Sequence, residues 1–136
     1  MGKKLIFIIG GARSGKSRFA LDYANRHFSK KLYLATCEVL DEEMAARVEN
    51  HKKMRGPEWL TIEEPVNIEE RIGQFWEKGE VILIDCLTLW LFNLLMRGES
   101  DKNIIEEIGS LIKAIKNNQI SFILCIERGR NGYCTS

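Results

Sequence analysis

Short apolar runs alternate along this chain with stretches in which apolar residues recur every three or four positions. The runs read as strands at Lys4–Ile9, Lys31–Ala35, Trp59–Glu63, Val81–Asp85 and Ser121–Ile126. Between them the helical period predicts helices near Lys16–Phe28, Glu42–Met54, Ile68–Trp76, Leu87–Arg97 and Asn103–Lys116. Such alternation implies βαβ units, and hence a mostly parallel sheet with helices on both faces. The near-continuous apolar runs "LIFII" and "VILID" suit strands buried on both sides. Pro57 and Pro65 bracket the third strand, and Gly56, Gly79 and Gly98 mark loops.

Composition adds bounds. The 136 residues suffice for one domain with a real core, and 45% apolar with 29% charged residues is ordinary for a globular protein. A net charge of +1 gives no electrostatic footprint for nucleic acid or an anionic membrane, so an anionic ligand needs a local site. Cys37, Cys86, Cys125 and Cys134 show no C-x-x-C spacing; they read as reduced thiols of a cytoplasmic protein, without a zinc site. "LIFII" is too short for a secretory apolar region. The longer run "VILIDCLTLWLFNLLM" is under ~18 residues and carries Asp85, so it reads as a buried strand and a core helix, not a membrane span.

Between the first strand and first helix lies "GGARSGKS", residues Gly10, Gly11, Ala12, Arg13, Ser14, Gly15, Lys16 and Ser17. Gly-x-x-x-x-Gly-Lys-Ser in a strand–loop–helix context is the P-loop pattern. Glycines let successive N–H groups turn inward around phosphate oxygens, and the helix N-terminus adds its dipole and unpaired donors. Lys16 then reaches the β- and γ-phosphates, and the Ser17 hydroxyl can ligate Mg²⁺. A second acid is expected at the end of a neighbouring apolar strand, and Asp85 closes "VILID". Capping the helix that starts at Leu87 is a second role open to Asp85, compatible with the first. A P-loop by itself does not choose between kinase, GTPase, motor and nucleotidyltransferase.

Further along, Met44, Val48 and His51 share one helical face. A histidine there is more often a packed residue than a catalyst. His27 reads as a C-terminal dipole partner, and Arg47 as a solvated partner of Glu43 one turn earlier. Glu63 and Glu64 follow a strand, where acids can meet a ribose hydroxyl or magnesium, or simply water.

In order, "GGARSGKS", "LAT", "LDEEMAARVENH", "RGPEWLTIEEP" and "VILIDCLTLWLFNLL" closely resemble the bifunctional adenosylcobinamide kinase/adenosylcobinamide-phosphate guanylyltransferases of cobalamin biosynthesis, from about Leu5 to Leu124. The resemblance implies a RecA-like P-loop fold and two reactions. The γ-phosphate of GTP or ATP passes to the hydroxyl of adenosylcobinamide. A histidine then attacks the α-phosphate of GTP, and the guanylyl-histidine passes GMP to adenosylcobinamide phosphate. Splitting one difficult transfer into two is what an imidazole nucleophile achieves. By this resemblance the nucleophile is His51; family members can carry a histidine doublet there, and its first position is Asn50 in this chain. Gly10–Ser17, Leu34, Ala35, Thr36, Lys52, Lys53, Met54, Glu63 and Asp85 would line the nucleotide site, with Ser17 and Asp85 on Mg²⁺. The resemblance also suggests a homo-oligomer, a trimer. The rival readings are another P-loop small-molecule kinase and a non-catalytic GTP-binding remnant.

The resemblance stops after the fifth strand. The family continues "SNEVGMGIVPEN", whereas this chain reads "CIERGRNGYCTS". Synonymous codons for Cys125–Ser136 can be chosen so that the next frame encodes V-S-N-E-V-G-M-G-I-V-P. This points to one extra base near the Leu124 codon. The expectation is therefore a kinase/guanylyltransferase domain over 1–124, incomplete at its C-terminus, and an aberrant tail over 125–136 in which Cys125 and Cys134 have no role. An exposed sheet edge and uncovered apolar faces should follow.

Overall fold

The computed structural model describes residues 2–11 and 14–128. Five strands, β1 (Leu5–Gly11), β2 (Lys31–Ala35), β3 (Trp59–Glu63), β4 (Val81–Asp85) and β5 (Ser121–Arg128), form one sheet among these residues, in the order β1-β5-β4-β2-β3. All its pairings are parallel. The helices are α1 (Lys16–His27), α2 (Glu42–Arg55), α3 (Ile68–Phe75), α4 (Leu87–Met96) and α5 (Asp101–Asn117). β5 lies between the P-loop strand β1 and the Asp85 strand β4, so the strand order turns beside the P-loop. In open α/β sheets a ligand crevice opens at such a point, beyond the carboxyl ends of the strands.

The period-two alternation of each strand builds two apolar layers. Leu32, Leu34, Ile82, Ile84, Phe122 and Leu124 pack on one face against α3, α4 and α5. Tyr33, Leu83, Ile123 and Cys125 point to the other face, where Ala20 and Ala24 of α1 let that helix approach closely. Cys125, expected to lack a role, is fully buried in this layer. Residues 125–128 continue β5, pairing with Ile8–Gly11 of β1.

Local signals set the helix ends. The Asp41 carboxylate accepts from the Met44 amide at 2.8 Å, Glu42 and Glu43 occupy the first turn of α2, and Lys52, Lys53 and Arg55 the last. Both ends thus complement the helix dipole. Ser100 caps α5 at the Asn103 amide, which starts that helix two residues before the predicted Asn103. At the edge of the sheet among the described residues, β1 leaves Leu5, Phe7 and Ile9 exposed at 45%, 54% and 63%. An apolar groove between β1, α4 and α5, lined by Phe7, Leu91 and Ile108 among others, adjoins it.

Candidate functional site

The P-loop geometry follows from two glycines. Gly15 has φ of 85°, in the left-handed region that a side chain disfavours, and its carbonyl accepts from the Phe19 amide in the first turn of α1. A Cβ on Gly10 would meet the Ser14 hydroxyl at 2.4 Å, so a side chain there would force Ser14 to shift. Ala12 and Arg13 lie outside the described residues. Lys16 is buried, with Nζ 3.5 Å from Glu127 Oε1, both side chains less than a tenth exposed.

Ser17 Oγ donates to Asp85 Oδ2 at 2.9 Å, and the Tyr33 hydroxyl donates to the same oxygen at 2.5 Å. Asp85 is therefore turned toward the P-loop. The capping role open to it falls to Cys86, whose Sγ accepts from the Leu89 amide. Burial, then the Asp85 charge, pushes the Tyr33 phenol well above its ordinary range, so it remains a donor. Burial also lifts the Cys86 thiol to about 11, which leaves it protonated and unreactive. A hydroxyl and a carboxylate converging here are the hard oxygen donors that Mg²⁺ prefers, so these residues fit the ion. Among the described residues no group of three or more His, Cys, Asp or Glu could hold a metal, and a P-loop site needs none, because phosphate and water complete the shell.

Next to this pair lies a pocket walled by α2 and the ends of β2 and β4. His51, Arg47 and Arg55 enter it from one face of α2, opposite Tyr33, Ala35 and Asp85. The His51 ring is half-buried and makes no hydrogen bond among the described residues. Arg47, expected on a solvated face with Glu43, forms no such ion pair among these residues and lines the pocket instead. Lys52 pairs with Glu63 at 3.0 Å and with Glu49 at 3.3 Å; the bond to Glu63 is the main cause of its raised pKa. Lys53 is exposed, and Met54 lies in α2.

Other expected residues are placed differently. The Leu34 side chain is buried in the layer facing α3–α5, away from the pocket. Thr36 is fully buried, its hydroxyl donating to the Cys86 carbonyl and accepting from the Cys86 amide. Glu64 accepts from the Val66 and Asn67 amides and from Arg71, which holds its carboxyl below the usual range despite burial. It therefore organises the start of α3. His27 lies in the last turn of α1, where its ring packs on Tyr23 with centroids 4.3 Å apart. Cys86 and Cys125 are free, whereas Cys37 is disulfide-bonded, which corrects the reduced-thiol expectation at that position. Three site residues were not anticipated: Tyr33, Arg55 and Glu127. Tyr33 sits mid-strand in "KLYLA", Arg55 reads as a helix-end cation, and Glu127 lies beyond the family motifs.

A family model described as cobinamide kinase / cobinamide phosphate guanyltransferase matches residues 6–129. The chain belongs to this family. It is 41% identical over 99 residues to the bifunctional adenosylcobalamin biosynthesis protein CobU of Escherichia coli K12, covering 73% of this chain and 54% of that protein. It is 44% identical over 89 residues to the bifunctional adenosylcobalamin biosynthesis protein CobP of Pseudomonas aeruginosa, covering 65% and 51%. CobU of Salmonella typhimurium is 39% identical over 99 residues. The chain thus spans about half the length of these relatives. Among the described residues no helix is long and apolar enough to cross a membrane.

One contact sets this member of the cobinamide kinase/guanyltransferase family a specific problem. The Glu127 carboxylate sits on the lysine that a P-loop reserves for phosphate oxygens, and a like charge next to an incoming phosphate is repulsive. Glu127→Gln is expected to lower the melting temperature without ligand, because Lys16 is left buried and uncompensated. It is expected to raise affinity for a nucleoside triphosphate by about tenfold. Isothermal titration checks this, and an affinity equal to or below that of the unaltered chain counts against the repulsion.

Proposed function

We propose that this chain carries the nucleotide-binding and guanylyl-transfer site of a bifunctional cobinamide kinase/cobinamide phosphate guanylyltransferase. In this reading GTP or ATP donates its γ-phosphate to the hydroxyl of adenosylcobinamide, and GTP then supplies GMP to adenosylcobinamide phosphate through a guanylyl-histidine at His51. The observation that carries it is the shared pocket: His51 and Asp85 line one cavity, and Asp85 is hydrogen-bonded to Ser17 of the P-loop. A triphosphate seated on the P-loop would bring its α-phosphate toward α2.

The P-loop backbone and Lys16 bind and orient the phosphates. Ser17 and Asp85 would hold Mg²⁺, which supplies charge neutralisation at the phosphate oxygens. Tyr33 keeps the Asp85 carboxylate oriented. In guanylyl transfer an imidazole nitrogen bonds to the α-phosphorus while the bond to the β-phosphate bridging oxygen breaks. Pyrophosphate leaves with that electron pair. The acceptor phosphate then displaces the imidazole, giving adenosylcobinamide-GDP. Lys52, neighbour of the nucleophile, is held as an ammonium by Glu63 and Glu49 and has no lone pair to offer.

Incubation of the chain with Mg²⁺ and GTP labelled at either the α- or the γ-phosphate tests the reading. Acid-labile, alkali-stable label is expected on the protein from α-labelled GTP alone. A chain that binds GTP and takes no α-label is better read as another P-loop kinase or a binding remnant.

A further inference from the structure

Arg55 is a half-buried arginine that feels the charges of Asp85 and Glu63 but touches neither carboxylate. It stacks on the Tyr33 ring, with the guanidinium carbon 3.8 Å from the centroid, and Nη2 donates to Thr61 Oγ1 at 2.9 Å. These two contacts set the guanidinium plane at the end of α2. No carboxylate among the described residues lies within ion-pairing distance, and the buried Nε–H has no hydrogen-bond partner among them. Burial pulls its pKa below the ordinary range, a cost borne by the charged form because a guanidinium does not deprotonate in proteins. A half-buried cation with an unfilled, buried Nε–H donor is the state that an anion relieves.

The position of this cation is informative. Arg55 follows His51 by four residues, so both side chains share one face of α2 and both line the pocket. Arg47 sits one turn to the other side on the same face. The Tyr33 ring beneath Arg55 is the one whose hydroxyl holds Asp85, and Asp85 in turn holds Ser17. The unpaired cation, the nucleophile and the metal-side carboxylate thus border one cavity. Lys52 is excluded from this work by Glu63 and Glu49.

We propose that Arg55 binds the α-phosphate of the nucleotide and presents it to His51, resting on the guanylyl-transfer reading above. Its planar fork matches two non-bridging oxygens of one phosphate. As the phosphorus–nitrogen bond forms and pyrophosphate departs, those oxygens keep their negative charge, and the Arg55 N–H groups remain donated to them. Arg55 exchanges no proton in the step.

GMP is the discriminating probe, because its single phosphate is the α-phosphate. Its affinity is measured by calorimetry for the unaltered chain, Arg55→Gln, Arg55→Lys and Thr61→Val, with melting temperatures alongside. Arg55→Gln is expected to weaken GMP binding at least about tenfold, and Arg55→Lys about threefold or more, since an ammonium keeps the charge and loses the fork. Thr61→Val removes the staple to β3 and leaves the guanidinium, so its loss should stay within about threefold. Equal GMP affinity in the unaltered chain and Arg55→Gln overturns the inference and leaves the proposed function standing. So does a Thr61→Val loss as large as that of Arg55→Gln, which would make Arg55 a staple only. If Arg55→Gln fails to fold, Arg55→Lys carries the test, and unaltered affinity there overturns it. An unaltered chain that binds neither GTP nor GMP removes the proposed function, and the inference with it.

Discussion

Replacing His51 by alanine is expected to abolish covalent labelling by α-labelled GTP while leaving GTP affinity within about threefold. The phosphates are held by the P-loop and Lys16, on a different element from α2, so binding and bond formation should separate. His51 is half-buried and outside both core layers, so truncating it costs little packing. The nearby substitutes are poor: Lys52 is kept protonated by its two glutamates, and Cys86 is a buried thiol at about 11. Neither side chain therefore offers a second route to a phosphorus–nitrogen or phosphorus–sulfur bond. Label retained in His51→Ala at the level of the unaltered chain would place the nucleophile elsewhere. Loss of GTP binding together with label would make His51 a binding residue.

Phe122→Ala should destabilise the chain by about 3–5 kcal/mol, the usual cost of removing a fully buried aromatic ring and leaving a cavity. Phe122 is completely buried in β5, between Leu5 of β1 and Ile82 of β4 in register, and it belongs to the layer packed on α3–α5. β5 is the strand that joins the P-loop strand to the Asp85 strand, so loosening it should also weaken nucleotide binding. A fall in melting temperature of roughly 10 °C or more is expected, read by thermal unfolding. A fall of only a degree or two would mean that β1 and β5 are not packed as described.

Much of the architecture was legible because it is local. "VILID" is apolar at successive positions, as a strand covered on both faces requires, and all five of its residues are buried. "LIFII" has the same pattern and is also a strand of the parallel sheet, yet Leu5, Phe7 and Ile9 stay exposed on one face of β1. The helix pattern failed only at ends, where caps decide: Ser100 starts α5 early, and Phe28 turns extended after α1. Asp85 was readable from its place at the end of an apolar strand, yet whether it also caps α4 was not. Cys86 settled that by supplying the cap itself. Leu34 matched a motif by position, but strand alternation sends its side chain to the opposite layer.

Sequence by itself determined the α/β alternation, the glycines that let the P-loop close, the lysine and serine it presents, and the family to which the chain belongs. These depend on period, backbone conformation and motif spacing, all of which operate within a few residues. Tertiary structure alone decided that Tyr33 and Ser17 converge on one oxygen of Asp85, that His51 and Arg55 open into the same cavity, and that Glu127 meets Lys16. Those meetings join residues up to 111 positions apart, Lys16 and Glu127 (127 minus 16) being the widest pair. They follow from strand order and register, which bring distant strand ends to one edge of the sheet and leave no trace in any local stretch of the chain.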